Sequence, residues 1–341
     1  MNLGDLSFLR LKEYVLGIGE NAFRARQIFK WIHSGVQSAD EMTNLPKTLR
    51  EKLKSDFEIF LPQVYEKRVS AVDKTVKYLM RLSDGNIIES VVMDYHHGKS
   101  ICVSSQVGCR MGCSFCASTL GGLVRNLSPF EIEGQVLSAS RDIGERISNI
   151  VIMGIGEPLD NYENVVTFLK NVNDEHGLNI GMRHITLSTC GIPDKIRQLA
   201  LTVPEVNLAL SLHAPTDEKR RAIMPVARRF SIEEVMGACD FYFEKTHRRV
   251  TFEYALVRGK NSSAGDAELL AALLRGKNCH VNVIPVNPVA ERGNVRTTPK
   301  ETKAFLDFLK NNGINATLRR ELGPDINASC GQLRNELVKK M

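Results

Sequence analysis

No stretch of the 341 residues is apolar for long enough to cross a bilayer. The first residues, M-N-L-G-D-L-S-F-L-R-L-K-E, contain neither an apolar h-region nor a cleavage site. A cytoplasmic protein that makes no use of a membrane is therefore expected. The eight cysteines lack the paired spacing of a secreted, disulfide-stapled chain, which fits the same reducing compartment. Low-complexity segments and short-period repeats are absent, so repeat architectures drop out. No strong excess of one charge exists either. The net charge of +6 permits a polyanionic partner without requiring one. What remains is an ordinary globular composition, 43% apolar and 25% charged, able to bury a core.

Against that plain background stands one dense feature, the run V-G-C-R-M-G-C-S-F-C-A. It places Cys109, Cys113 and Cys116 at C-x3-C-x2-C spacing. Chance would produce such a triplet roughly 0.004 times in a chain of this cysteine content. Three thiolates so close can ligate three irons of a 4Fe-4S cube and leave the fourth iron open to a ligand. A structural zinc site wants four ligands, usually as two pairs. No second pair follows, and the next cysteine, Cys190, lies far downstream. His184 and His213 could in principle supply a fourth ligand, but each sits at the end of a different β-like run.

Around the triplet the chain changes character twice. The N-terminal part reads as helices: F-R-A-R-Q-I-F-K-W-I-H places Phe23, Ile28, Trp31 and Ile32 near helical periodicity, with Arg24, Arg26 and Lys30 among the polar positions. That basic group is either a solvated helix face or a holder of the phosphates of a polyanion. A second helix is expected after Pro46. After Pro62, V-Y-E-K-R-V, T-V-K-Y-L-M-R-L and I-I-E-S-V-V-M alternate as strands, the last two joined by a hairpin turn at S-D-G-N.

From about residue 100 the pattern is strand, loop, helix, repeated. The strands are I-C-V-S-S, N-I-V-I-M-G, H-I-T-L-S-T, V-N-L-A-L-S-L-H, V-T-F-E-Y-A-L-V, H-V-N-V-I-P-V and N-A-T-L-R-R. This predicts an α/β protein with a parallel sheet, a partial or open (β/α)6 barrel whose chemistry gathers at the C-terminal strand ends. The expected organisation is a helical accessory domain over 1–62, a β extension over 63–94, a barrel core over 95–330 and a tail over 331–341. Polar clusters close several strands: G-I-G-E-P, S-T-C-G, S-L-H-A and P-V-N-P. In the first, Gly154 and Gly156 would let backbone approach a ligand, and Glu157 could pair with an ammonium.

The C-x3-C-x2-C run followed by G-x-G-E-P resembles the radical S-adenosylmethionine (SAM) superfamily. The wider set is V-S-S-Q-V-G-C, G-G-x-x-R-N-L-S, G-I-G-E-P-L, I-T-L-S-T-C-G, L-S-L-H-A, V-N-P and D-I-N-A-S-C-G-Q-L. Together these are similar to the RlmN-type members of the RlmN/Cfr family, over nearly the whole chain. The resemblance implies methylation at C2 of an adenine in 23S rRNA, in a protein-poor or precursor form, and in some members in tRNA.

It also implies one 4Fe-4S cluster, two SAM molecules per turnover and an electron donor such as flavodoxin or ferredoxin. Carried onto this chain, it implies that Cys109, Cys113 and Cys116 bind the cluster. Gly156 and Glu157 would hold the SAM amino group, and Ser188, Ser211, Leu212, His213 and Asn287 the rest of SAM. Cys330 would become S-methylated, Cys102 would form a transient disulfide with it, and Glu89 would be the general base. Cys190, Cys239 and Cys279 are assigned to packing.

Two alternatives stand beside this reading. Cfr-type enzymes act at C8 of the same adenine, but carry alanine after the glutamate, isoleucine in place of Cys190 and a different run before N-P. By that likeness the present chain sides with the C2 enzymes. The other alternative is a non-catalytic RNA-binding protein with a structural metal site.

Overall fold

The N-terminal apolar spacing folds into three short helices, α1 (Phe8–Gly17), α2 (Phe23–Ile32) and α3 (Lys47–Asp56). The computed structural model describes residues 1–96 and 98–334. In α2 the buried stripe is Ala25, Ile28, Phe29 and Ile32, spaced as a helix lying on a core requires. Phe23, expected on that stripe, is exposed, with the Arg24 guanidinium over its ring. Five residues from Phe23 to Ile28 do not close a helical repeat, which turns Phe23 off the buried face. The three helices share an apolar cluster completed by Phe130 and Leu137 of α4 (Pro129–Ile143). A buried His33–Glu133 contact of 2.5 Å crosses the same seam. The helical part therefore sits on the helix that follows the thiol triplet.

The predicted strands all form, and ten of them make one sheet. β1 (Gln63–Val69), β2 (Val76–Arg81) and β3 (Ile87–Tyr95) are antiparallel. Gly85, at φ 84°, sits in the tight turn between the last two. β3 then pairs antiparallel with β4 (Gly98–Cys102) over five residue pairs. The segment expected as an extension is thus continuous with the main sheet.

Beyond β4 every pairing within this sheet is parallel: β7 (Ile147–Ile152), β8 (Ile185–Thr189), β9 (Asn207–Ser211), β10 (Val250–Leu256), β11 (Cys279–Pro285) and β12 (Ala316–Leu318). The helices α5 (Tyr162–Asn173), α6 (Pro193–Thr202), α7 (Asp217–Ile223), α8 (Ile232–Thr246), α9 (Ala264–Leu274) and α10 (Pro299–Asn311) separate them. Cys239 and Cys279 lie in the apolar core built between these helices and the sheet, as assigned. β1 and β12 end the strand order without pairing to each other, so the barrel is open.

The cysteine triplet does not follow β4 directly. A hairpin of β5 (Gln106–Gly108) and β6 (Leu123–Asn126) intervenes, and the triplet occupies the loop between its strands. The C-terminal residues that are described are docked on that loop. The Ala117 N–H donates to the Gly331 carbonyl at 2.7 Å, and the Ser118 hydroxyl to the Leu333 carbonyl at 2.7 Å. The remainder of the expected tail, 335–341, lies outside the described residues. Among the described residues no helix is long and apolar enough to cross a membrane.

Candidate active site

The triplet loop is held by backbone bonds at several points. Cys109 N–H donates to the Gly122 carbonyl, Ser114 N–H to Ile223 of α7, and the Thr119 hydroxyl caps the Cys116 carbonyl at 3.0 Å. Cys109, Cys113 and Cys116 line one cavity of about 160 Å³. Burial pushes the Cys109 thiol up to about 12 and the other two well above or above their ordinary values. Three such thiols need a cationic centre before they ionise, which iron supplies. Among the described residues no three His, Cys, Asp or Glu side chains are arranged to hold a single metal ion. The three thiols share one cavity; a 4Fe-4S cluster takes one thiolate per iron, whereas a structural zinc site wants four ligands around one ion.

The strand ends supply the rest of the cavity wall: Gly156 and Glu157 after β7, Ser188 on β8, Ser211 and His213 at β9, and Asn287 after β11. Gly156 has φ 113°, and a Cβ there would lie 2.7 Å from Gln106; one at Gly154 would lie 2.7 Å from the Val103 carbonyl. These glycines let the loop pass the chain's own β4–β5 segment, a different close approach from the one expected. Glu157 is buried, and burial raises its carboxyl above the usual range. It accepts from Leu159 N–H (3.0 Å), the Thr189 hydroxyl (2.7 Å) and Cys190 N–H (2.7 Å), which hold it in place.

The Ser188 and Ser211 hydroxyls stand 3.5 Å apart. His213 has a left-handed backbone (φ 57°), and its Nδ1 accepts from Ala255 N–H. Burial, with the Arg220 charge behind it, drops the imidazole to about 3, so the ring is neutral with its proton on Nε2. Leu212 does not join the cavity wall. Its side chain is in the main core because it alternates with Ser211 and His213.

The third part is the C-terminal loop. Cys330 and Gly331 line the same cavity, and the Cys330 carbonyl accepts from the Asn287 side chain at 3.0 Å. Cys102, at the end of β4, packs with Leu322 and Ala328 of the loop. Burial lifts its thiol to about 12, with the neighbouring Cys330 adding to the rise and Arg319 opposing it. Glu89 is not the solvent-facing residue its alternating strand allowed. It is wholly buried, 2.9 Å from the buried Lys77 ammonium, and accepts the Arg334 N–H at 3.1 Å. Lys77 also donates to the Asn327 carbonyl, so this ion pair is tied to the loop that carries Cys330.

Three site residues escaped the sequence reading. Cys190, assigned to packing, lines the cavity beside Cys113 and Glu157. Its place directly after Ser188-Thr189 was the available signal. Arg319, just beyond β12, pairs with Glu253 of β10 at 3.1 Å, and its guanidinium is held strongly protonated, first by the charge at Cys330. Arg220 of α7 lies buried behind the strand ends. No local motif marks these, because each reaches the site from an element separated in sequence from its partners.

An open parallel barrel with a three-cysteine loop at its rim defines a class, and comparison with known proteins agrees. Residues 103–270 match the family model of the radical SAM superfamily, and residues 1–59 match that of the ribosomal RNA large subunit methyltransferase N-terminal domain. The fold overlays on a crystal structure of a radical SAM methyltransferase from Sphaerobacter thermophilus with a TM-score of 0.93. The two are 43% identical, covering 98% of this chain and 100% of that one.

Probable dual-specificity RNA methyltransferases RlmN are similar over almost their full lengths. That of Clostridium tetani (strain Massachusetts / E88) is 54% identical over 99% of this chain and 97% of its own. That of Clostridium perfringens (strain SM101 / Type A) is 55% identical over 99% and 98%. The chain belongs to the RlmN family of radical SAM RNA methyltransferases. It is an enzyme with an RNA substrate, and membership implies a 4Fe-4S cluster and SAM.

Proposed function

We propose that the chain methylates C2 of an adenine in 23S rRNA, and C2 of an adenine in tRNA, through an S-methylated Cys330. The observation that carries this is the meeting of Cys330, the three triplet thiols and Arg319 in one cavity, with Cys102 in electrostatic reach of Cys330. Adenine C2 is an electron-poor sp2 carbon and a poor nucleophile, so methylation there calls for radical chemistry. A cluster held there, reduced by a donor such as flavodoxin or ferredoxin, would with SAM supply a carbon-centred radical able to take a hydrogen atom.

The chain's own residues do the rest. Cys109, Cys113 and Cys116 hold the cluster. Gly156, Glu157, Ser188, Ser211, His213 and Asn287 face the SAM, with Leu212 contributing backbone alone. Cys330 Sγ accepts a methyl group from one SAM, and that methyl loses a hydrogen atom to the radical made from a second. The methylene carbon then bonds to C2. The Glu89 carboxylate, held by Lys77, would take the C2 proton, and the adduct's unpaired electron would return to the oxidised cluster. Cys102 Sγ would attack Cys330 Sγ, forming the disulfide as the S–C bond breaks, and the released methylene would take up a proton to complete the methyl group as the RNA leaves. Because Cys102 is buried, its attack needs the thiolate form, which the adjacent Arg319 charge favours.

The test is Cys102→Ala with an RNA fragment under anaerobic conditions. A covalent protein–RNA adduct is expected on a denaturing gel, since the releasing thiol is gone. Normal turnover without adduct would sink the disulfide step. Mass spectrometry of rRNA and tRNA from a deletion strain reads the position, with loss of 2-methyladenosine expected. Loss of an 8-methyl mark would overturn the C2 assignment.

A further inference from the structure

We infer that Arg220 is a positioning residue for the iron–sulfur cluster, joining the SAM-facing strand ends to the Cys113 side of the metal site. The inference rests on the cluster reading of the three thiols. Arg220 is 0% exposed, on α7. Its Nη2 donates to the Cys190 carbonyl at 2.5 Å and to the Ser211 carbonyl at 3.4 Å, and its Nε to the Leu212 carbonyl at 3.2 Å. One guanidinium edge therefore fixes the ends of both β8 and β9. The other edge, Nη1, is buried and has no acceptor among the described residues.

Burying a guanidinium costs several kcal/mol unless something negative lies beside it. Among the described residues no carboxylate is hydrogen-bonded to Arg220. The groups whose negative charge reaches it are first the Cys190 and Cys113 sulfurs, and after them the Asp217 carboxylate on the same helix and Cys239. Cys113, Cys190, Ile223 and Met224 share one apolar cluster, and Ser114 N–H bonds the Ile223 carbonyl, so α7 is fastened to the triplet loop. A set of thiolates and sulfides is negative, more so when reduced. A buried cation within reach of Cys113 and carrying a spare N–H stabilises the reduced form and raises the reduction potential, since hydrogen bonds and charge at the sulfurs set that potential. A purely structural clamp on three carbonyls would not need the charge or the spare donor.

The experiment compares reconstituted wild type, Arg220→Gln and Arg220→Lys by EPR-monitored redox titration, with iron and sulfide content measured on each. The midpoint of Arg220→Gln should move to more negative potential at full iron content, while Arg220→Lys, which keeps the charge, should stay nearer wild type. A fully loaded Arg220→Gln at the wild-type midpoint overturns the inference. Should Arg220→Gln fail to fold or load, wild type grown with guanidino-15N arginine decides. Its reduced cluster should show a weak 15N coupling, retained when Arg292, which bonds the Cys116 carbonyl, is replaced by Lys. Absence of that coupling overturns the inference. A wild-type chain that takes up no iron would instead overturn the cluster reading itself, which the iron and sulfide content reports separately.

Discussion

The strand-end rim and the docked C-terminal loop meet in one cavity but are held by opposite means. On the rim, polar groups are satisfied by neighbours on the same or the next strand. Glu157 takes N–H donors from Leu159 and Cys190, and Arg220 gathers the carbonyls at the ends of β8 and β9. The loop side relies on partners far apart in the chain. Glu89 meets Lys77 and, across 245 residues of sequence, Arg334; Arg319 meets Glu253; Asn287 meets Cys330. The rim is thus built by the sheet itself, whereas the loop side exists only once the C-terminal segment has docked. That division suits a site in which one half holds cofactors still and the other must pass a methyl group onward.

The sharpest way to break this comparison is Cys330→Ala. RNA methylation should fall by more than about a thousandfold, because a residue acting as one member of a catalytic unit is removed. Cleavage of SAM to 5′-deoxyadenosine, a property of the rim, should persist. Loss of both activities together would show that the halves are not separable.

Next in size is Lys77→Met, which strands the buried Glu89 carboxylate. Removing one partner of such a pair should cost about 3–5 kcal/mol, read as a lower urea midpoint, and the double change Lys77→Met with Glu89→Leu should recover much of it. Equal loss in the single and double variants would refute the pairing argument.

The rim has its own signature in pH. His213 sits at about 3 in the fold, below the ordinary imidazole value of 6.5. Below pH 6.5 the unfolded chain binds a proton that the folded chain refuses, so stability is full above that pH and falls as pH drops toward about 3. Relative to His213→Asn, which tolerates the left-handed backbone, wild type should lose about 2 kcal/mol between pH 7 and pH 5 in urea unfolding. Parallel pH profiles would contradict the burial argument. The smallest effect is expected from Ser118→Ala, which removes one hydrogen bond to the Leu333 carbonyl. A loss of about 1 kcal/mol confined to loop docking should speed hydrogen exchange of residues 330–334 about fivefold and leave the rim unchanged.

The same contrast explains what could be read in advance. All seven strands of the parallel part were legible, since apolar runs bounded by turn residues at regular spacing leave little freedom of assignment. Rim residues sit at strand ends, so the alternation that identified the strands also located Glu157, Ser188, Ser211 and His213. The same alternation turns the Leu212 side chain into the core between two cavity-facing neighbours, and Cys190, assigned to packing, packs against Cys113 while also lining the cavity. Phe23 was misjudged for want of a true helical repeat. On the loop side nothing local announced Lys77 or Arg319. A lysine inside a strand reads as an edge or surface residue until its partner, from another strand, is known.

The sequence by itself determined the family, the order of strands and helices, and the three closely spaced thiols of the β5–β6 loop, because each is carried by residues close in the chain. Only the tertiary structure decided which buried charges meet which partners: Lys77 with Glu89, Arg319 with Glu253, and Arg220 with the carbonyls at the ends of β8 and β9. Those pairings follow from the register of a ten-stranded sheet and from where its last loop docks. A buried charge is tolerated only where the finished fold brings it a partner.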